Sequence, residues 1–477
     1  MPRRRPPPES LELSETEMRD MVAAAMDRIV PFLAELPTAP QHRMDGAQKL
    51  ARALREPLPE GGVSFRRVLG QLFERVIPFG LNTAGPGYLA YIPGGGLFHA
   101  AVADLIADAT NRYVGIWQAA PGFVQLETNV IRWFADMLGL PAAAGGLLTT
   151  GGSLANLAAV VAARHDRLGE RFDDGVIYTS TLVHHSIVKA ARVAGFRAGQ
   201  VRALPVDARF RLEATALAAA ITEDRAAGRR PAMLVASAGT TATGAVDPLP
   251  ALADLAAAEG LWFHVDAAYG GFFALTARGK ATLAGIERAD SVTLDPHKGL
   301  FLPYGTGCVL VRDLATLRAA HRVGAAYLPT AEADPDFWDF ADLGPELSRD
   351  FRGLRVWLPL KMHGAAGFRA ALDEKLDLAA EACARLSAVP ELELVAAPDL
   401  SLFAFRVRAA TREERNRRTR RLATRVGQVG HVLLTGVDID GDWLLRVCVL
   451  SFRTHRAQID HLVADVQAIV RESDAAG

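Results

Sequence analysis

The chain is expected to be an α/β protein with a mostly parallel central sheet and helices on both faces. An N-terminal helical arm and a small C-terminal α/β domain should flank it. Three observations predict this. From about residue 147 onward, short apolar runs alternate with Ala/Leu-rich stretches of helical length, the pattern of strands joined by crossover helices. Glycine, hydroxyl, histidine and acidic residues follow several of those runs, and parallel sheets collect ligands at the carboxyl ends of their strands. The 477 residues exceed what one small core needs, so a large domain plus a smaller one is expected.

Half of the residues are hydrophobic and the formal net charge is −1. That describes a globular chain with no electrostatic bias toward nucleic acid or an anionic membrane. The cysteines, Cys308, Cys383 and Cys448, are odd in number and widely spaced. They offer neither a disulfide framework nor a CxxC metal site, which suits a reducing cytoplasm. No uninterrupted apolar run is long enough to span a bilayer. The first ten residues are basic and proline-rich with no apolar segment after them, so they read as a disordered tail and not a secretory signal.

The elements follow in order. Ser14 can cap a helix over 14–36, with Glu15 and Glu17 in its first turn and Met21, Val22, Met26, Ile29, Val30 and Leu33 at helical spacing. Pro31 should kink or split it. A second helix is expected over 64–76. Both carry more apolar face than a short segment buries alone, so the arm should pack on another surface, such as a second subunit. The glycine-rich stretch 85–96 reads either as a plain turn or as backbone that approaches a ligand closely. Helices are expected over 100–110 and 124–138.

A strand over 147–150 leads into Gly151-Gly152-Ser153 and a helix to about 168. A glycine pair opening a helix can present free N–H groups to a phosphate. An ordinary turn capped by Ser153 is equally compatible. Strands are then expected over 176–178, 201–205, 232–236, 262–265 and 308–311. Helices are expected over 184–194, 213–223 and 248–260. His184, Gly239-Thr240-Thr241, Asp266 and Asp295-Pro296-His297-Lys298-Gly299 follow strand-like runs. Past 366, strands over 392–395, 402–407, 431–435 and 443–449 alternate with helices. The arginine-rich helix 411–429 reads as a solvated face, because Glu413 and Glu414 interleave and aromatics are absent.

Taken alone, Lys298 is a loop lysine, Asp266 a cap or ion-pair acid, and His184 a core histidine. Together with the glycine turn they match one cofactor. Pyridoxal 5'-phosphate needs an anion site, a lysine for its Schiff base, a carboxylate at its ring nitrogen and a flat group on its ring. Desolvation and nearby cations should lower the Lys298 pKa.

These motifs resemble those of the pyridoxal-phosphate-dependent group II decarboxylases, which include the aromatic-L-amino-acid, glutamate and histidine decarboxylases. The resemblance runs from about residue 14 to 470 and implies the type I, aspartate-aminotransferase-like fold. Asp295-Pro296-His297-Lys298 is similar to the family's Asn-Pro-His-Lys, and His264-Val265-Asp266-Ala267-Ala268-Tyr269 to its His-Val-Asp-Ala-Ala-Tyr. By resemblance Lys298 is the Schiff-base lysine, His297 its active-site neighbour, Asp266 the partner of the ring nitrogen and Ala268 a ring contact. His184 resembles the stacking histidine, with His185 the weaker candidate. Thr241 would lie near the cofactor. Gly151, Gly152 and Ser153, followed by Ala155-Asn156-Leu157, resemble the phosphate-binding turn, which Asp295 adjoins. Tyr327 lies where the family has a loop tyrosine that protonates Cα. A tyrosine there favours simple decarboxylation over oxidative deamination.

The sequence departs from the family at Asp295, Leu154, Gly299 and 93–96, where asparagine, glutamate, tryptophan and Pro-Thr are usual. The expected protein is a homodimeric, cytoplasmic decarboxylase of an L-amino acid, with an aromatic one favoured and no metal, nucleic acid or membrane involved. Its active site should lie near the subunit interface. The alternatives are an aminotransferase on the same fold and a decarboxylation-dependent oxidative deaminase. The expected divisions are 1–95 (tail and arm), 96–365 (large domain) and 366–477 (small domain).

Overall fold

The apolar runs in the middle of the chain form one seven-stranded sheet. A computed structural model of the chain describes residues 11–323 and 336–475. The basic tail at 1–10 and Tyr327 lie outside the described residues. The strand order is Gly145–Thr149, Gly307–Val311, Ser291–Leu294, Trp262–Asp266, Arg230–Ser237, Gly175–Ser180, Val201–Leu204. Four of the pairings are parallel, while Gly307–Val311 runs antiparallel to both neighbours. Most of these strands are buried along their whole length. That is why they read as apolar runs and not as alternating patterns. The helices between them, including Gly152–Leu168, Leu249–Glu259 and Ala214–Ala226, pack their apolar stripes against the sheet in one continuous core.

The helix over Glu15–Glu35 begins as expected. Ser14 Oγ accepts from the Glu17 N–H at 3.3 Å, and the Glu17 carboxylate accepts from the Ser14 N–H at 2.8 Å, a reciprocal capping box. Pro31 does not split it: the helix runs continuously through that position. The expected 64–76 helix is Phe65–Gln71, extended by a π turn over Leu72–Val76.

A second core forms around an antiparallel sheet of Leu392–Ala396, Leu402–Val407, Asp442–Cys448 and Thr435–Ile439. The strand expected over 431–435 is displaced. Val432 and Leu434 are buried there, but Leu433 bridges to Tyr88 outside the sheet. The strand begins at Thr435 and turns at Asp440-Gly441, both at positive φ (52° and 84°). An Asp-Gly pair suits such a two-residue hairpin turn. The helix Gly353–Ser387 is broken at Gly364 (φ 65°, ψ 166°), beside the expected start of the small domain.

The 93–96 stretch packs backbone against backbone. A Cβ at Gly94 would come 2.8 Å from the His297 carbonyl, and one at Gly95 would come 2.6 Å from Phe301 Cβ. The glycines there admit the turn that carries the lysine. Gly299 is equally constrained, since a Cβ would stand 2.6 Å from Phe272 Cβ.

Candidate active site

Five strand ends converge on one cavity of about 300 Å³. Thr149 leads to Gly151 and Gly152, Ser180 to His184, and Ser237 to Gly239-Thr240-Thr241; Asp266 ends its own strand, and Leu294 delivers Asp295. Gly151, Gly152, Ser153, His184, Thr241, Asp266, Ala268, Asp295, His297 and Lys298 all line this cavity. Every site residue expected from the sequence and lying within the described residues is therefore brought together. His185 is exposed, its ring 4.2 Å from that of His184.

The helix Gly152–Leu168 starts with Gly151 at its N-cap and has no side-chain cap, so Ser153 does not close it in the way the plain-turn reading required. A Cβ at Gly152 would meet Ala268 Cβ at 3.3 Å and the Asp295 carboxylate at 3.0 Å. The bare backbone leaves the positive helix end open to the cavity.

Lys298 follows Asp295 on the short helical turn Pro296–Gly299. Its Nζ lies 2.7 Å from Asp295 Oδ2, and both side chains are largely buried. Burial pushes the lysine pKa down, but Asp295, with Asp266 and Cys448 adding to it, outweighs burial and the net shift is upward. This corrects the expectation of a lowered pKa, because the chain supplies an anion as the nearest neighbour where cations were expected. His297 donates from Nδ1 to the Thr306 carbonyl at 2.7 Å and turns Nε2 toward Asp295 Oδ2, 3.8 Å away. Burial lowers the pKa of His297 and of His184.

Asp266 is held from two sides. Its Oδ1 accepts from the Ala268 N–H at 3.1 Å and its Oδ2 from the Asn156 amide at 3.0 Å. His184 Nδ1 lies 2.7 Å from Ser186 Oγ. Asn156 and Ser186 line the cavity too. By resemblance Asn156 belongs with the phosphate turn; a lone amide in an Ala/Leu/Val helix is the signal in the sequence that it is buried and bonded.

The residues present fit pyridoxal phosphate. An amine, a carboxylate and an imidazole face one cavity whose floor is a glycine-started helix, and Asp295 Oδ1 is buried there without a hydrogen-bond partner. Asp295 adds negative charge to the same cradle, opposed by Lys298. Among the described residues no cluster of histidine, cysteine or acid could hold a metal ion, and no helix is long and apolar enough to cross a membrane.

Comparison with known proteins agrees with this geometry. The family model of the pyridoxal-dependent decarboxylase conserved domain matches residues 48–408. The chain is 35% identical over 468 residues to an aromatic-L-amino-acid decarboxylase of Bacillus atrophaeus, covering 97% of this chain and 98% of the relative. It is 33% identical over 352 residues to an L-2,4-diaminobutyrate decarboxylase of Rhizobium meliloti, covering 74% and 71%. A crystal structure of Oryza sativa TDC with PLP and tryptamine superposes with a TM-score of 0.93 at 28% identity, covering 97% and 99%.

Proposed function

The chain belongs to the pyridoxal-dependent decarboxylase family, and from that premise we propose that its substrate is an aromatic L-amino acid. The protein is a pyridoxal-phosphate-dependent carboxy-lyase that splits an amino acid into CO₂ and the amine. The aromatic assignment is supported by the relative named for aromatic amino acids, which aligns over 97% of this chain, against 74% for the diaminobutyrate enzyme.

When bound, pyridoxal phosphate supplies an electron-poor ring that accepts the electron pair of the breaking Cα–carboxylate bond. The chain's own residues hold and orient the reactants. Lys298 would hold the cofactor aldehyde through its amine. Asp266, fixed by Asn156 and the Ala268 N–H, pairs with the ring nitrogen. His184 and Ala268, both lining the cavity, would contact the ring. Gly151, Gly152 and Ser153, at the open end of their helix, take the phosphate, and Thr241 and Asp295 border the bound group. His297, tied to the Thr306 carbonyl, packs beside the lysine. Tyr327 returns a proton to Cα after CO₂ leaves. The observation that supports this set of roles is the convergence of Lys298, Asp266 and His184 on one cavity at the carboxyl ends of the parallel strands.

We assign the working form to a homodimer in the cytoplasm. Support for the homodimer is the arm, where Met18, Val22, Val30, Leu58 and Val63 stay exposed on the single chain. Apolar surface of that extent is ordinarily covered.

The test is CO₂ and amine release from carboxyl-labelled tryptophan, tyrosine, phenylalanine and 2,4-diaminobutyrate by the cofactor-loaded protein. Turnover of an aromatic substrate without added 2-oxoglutarate is the expected result. Turnover of diaminobutyrate alone would overturn the substrate assignment.

A further inference from the structure

Asn156 is 1% exposed and uses all four of its side-chain hydrogen-bonding positions. Its amide donates to Asp266 Oδ2 at 3.0 Å and to Ser186 Oγ at 2.8 Å. Its carbonyl oxygen accepts from Thr293 Oγ1 at 2.6 Å and His264 Nε2 at 3.1 Å. The carboxylate beside it only accepts, so the amide cannot be reversed.

Polarity then propagates in both directions. The Trp262 indole can only donate, and it does so to Ser291 Oγ at 2.8 Å. The Ser291 hydroxyl hydrogen is left for His264 Nδ1 at 2.8 Å. His264 therefore carries its hydrogen on Nε2, where Asn156 accepts it. On the other side, Ser186 accepts from Asn156 and turns its own hydrogen toward His184 Nδ1 at 2.7 Å. The Ser186 backbone N–H reaches the same nitrogen at 3.3 Å. With two donors on Nδ1, the His184 ring hydrogen sits on Nε2.

We propose that Asn156 is a positioning residue for the decarboxylation site. One amide sets the carboxylate of Asp266 and, through Ser186, the orientation and tautomer of His184. The two groups that meet the cofactor ring are thereby fixed as a unit, and the chain Trp262–Ser291–His264 fixes the polarity of that unit from behind. This inference rests on the reading of Asp266 and His184 as ring partners.

The test compares pyridoxal phosphate dissociation constants and visible absorbance maxima for four proteins: wild type, Asn156→Asp, Ser186→Ala and Thr179→Val. Asn156→Asp keeps the shape but puts an acceptor where Asp266 and Ser186 need donors. Ser186→Ala cuts only the His184 arm. Thr179 is a buried control whose hydroxyl makes no hydrogen bond. The expected result is cofactor binding at least tenfold weaker in Asn156→Asp and about threefold weaker in Ser186→Ala. Both should have displaced absorbance maxima, and Thr179→Val should stay within twofold of wild type. Wild-type affinity and spectrum in Ser186→Ala would overturn the inference, as would an equal loss in Thr179→Val. Should Asn156→Asp not fold, Ser186→Ala and the control decide. A wild-type protein that forms no visible band, or a Lys298→Ala protein that keeps it, would instead overturn the cofactor-site reading itself.

Discussion

Replacing Asp295 with asparagine should make Lys298 reactive at lower pH. Lys298 Nζ stands 2.7 Å from Asp295 Oδ2, with the two side chains 20% and 3% exposed. Burial alone disfavours the ammonium form, yet Asp295, joined by Asp266 and Cys448, outweighs it and raises the lysine pKa. An opposite charge at such range favours the charged form of its neighbour. The carboxylate therefore favours the ammonium form of Lys298. Asparagine keeps the shape and an acceptor but removes the charge. Attachment needs the free amine, whose fraction grows as pH rises through the lysine pKa, so a lower pKa moves attachment to lower pH. The assay follows visible absorbance against pH with pyridoxal phosphate and with pyridoxal, which lacks the phosphate. With Asp295→Asn the attachment midpoint should fall to lower pH for both aldehydes. Pyridoxal phosphate should also bind more tightly, because a carboxylate no longer crowds the Gly151–Gly152 cradle. An unchanged midpoint with pyridoxal would refute the reasoning.

Other consequences are equally open to measurement. Glu127 and Arg349 form a fully buried ion pair at 2.5 Å. Glu127→Ala leaves the guanidinium unpaired and should lower stability by about 3–5 kcal/mol in urea unfolding; a loss below 1 kcal/mol would contradict that. Burial pushes the His264 pKa from 6.5 down to about 4. Its contribution is therefore present above pH 6.5 and lost as pH falls through 4, amounting to about 3 kcal/mol. Urea midpoints at pH 7 and pH 4.5 should differ more for wild type than for His264→Gln, and equal differences would remove His264 as a cause. Tyr327→Phe should divert product from amine to aldehyde and ammonia, measured by chromatography; an unchanged amine yield would take Tyr327 out of the mechanism.

Much of the site was legible because its residues mark strand ends. Asp266 and Asp295 directly follow or end short apolar runs, and the Gly151-Gly152 pair stands between a strand and a helix. What pairs with what in space was not legible. The ionisation of Lys298 turns on a 2.7 Å contact with Asp295. Sequence shows the two residues three apart but says nothing of the turn that points both side chains into one cavity. Asn156 looked like part of a phosphate turn because its neighbours do, while its partners lie 30, 108, 110 and 137 residues away. The 431–435 segment has the apolar content of a strand, but apolar content alone does not say whether a segment pairs within a sheet or bridges to a distant loop. Pro31 was expected to interrupt its helix, whose apolar face nonetheless continues on both sides of it.

The central claim is that Lys298 anchors pyridoxal phosphate for decarboxylation of an aromatic L-amino acid. Its most direct test is single-turnover release of labelled CO₂ from carboxyl-labelled L-tryptophan or L-tyrosine by the cofactor-loaded protein, with Lys298→Ala in parallel. CO₂ and the aromatic amine should appear in equal amounts from the wild type and be lost in the variant. Release of no CO₂ from any aromatic substrate, or equal release by Lys298→Ala, would contradict the account.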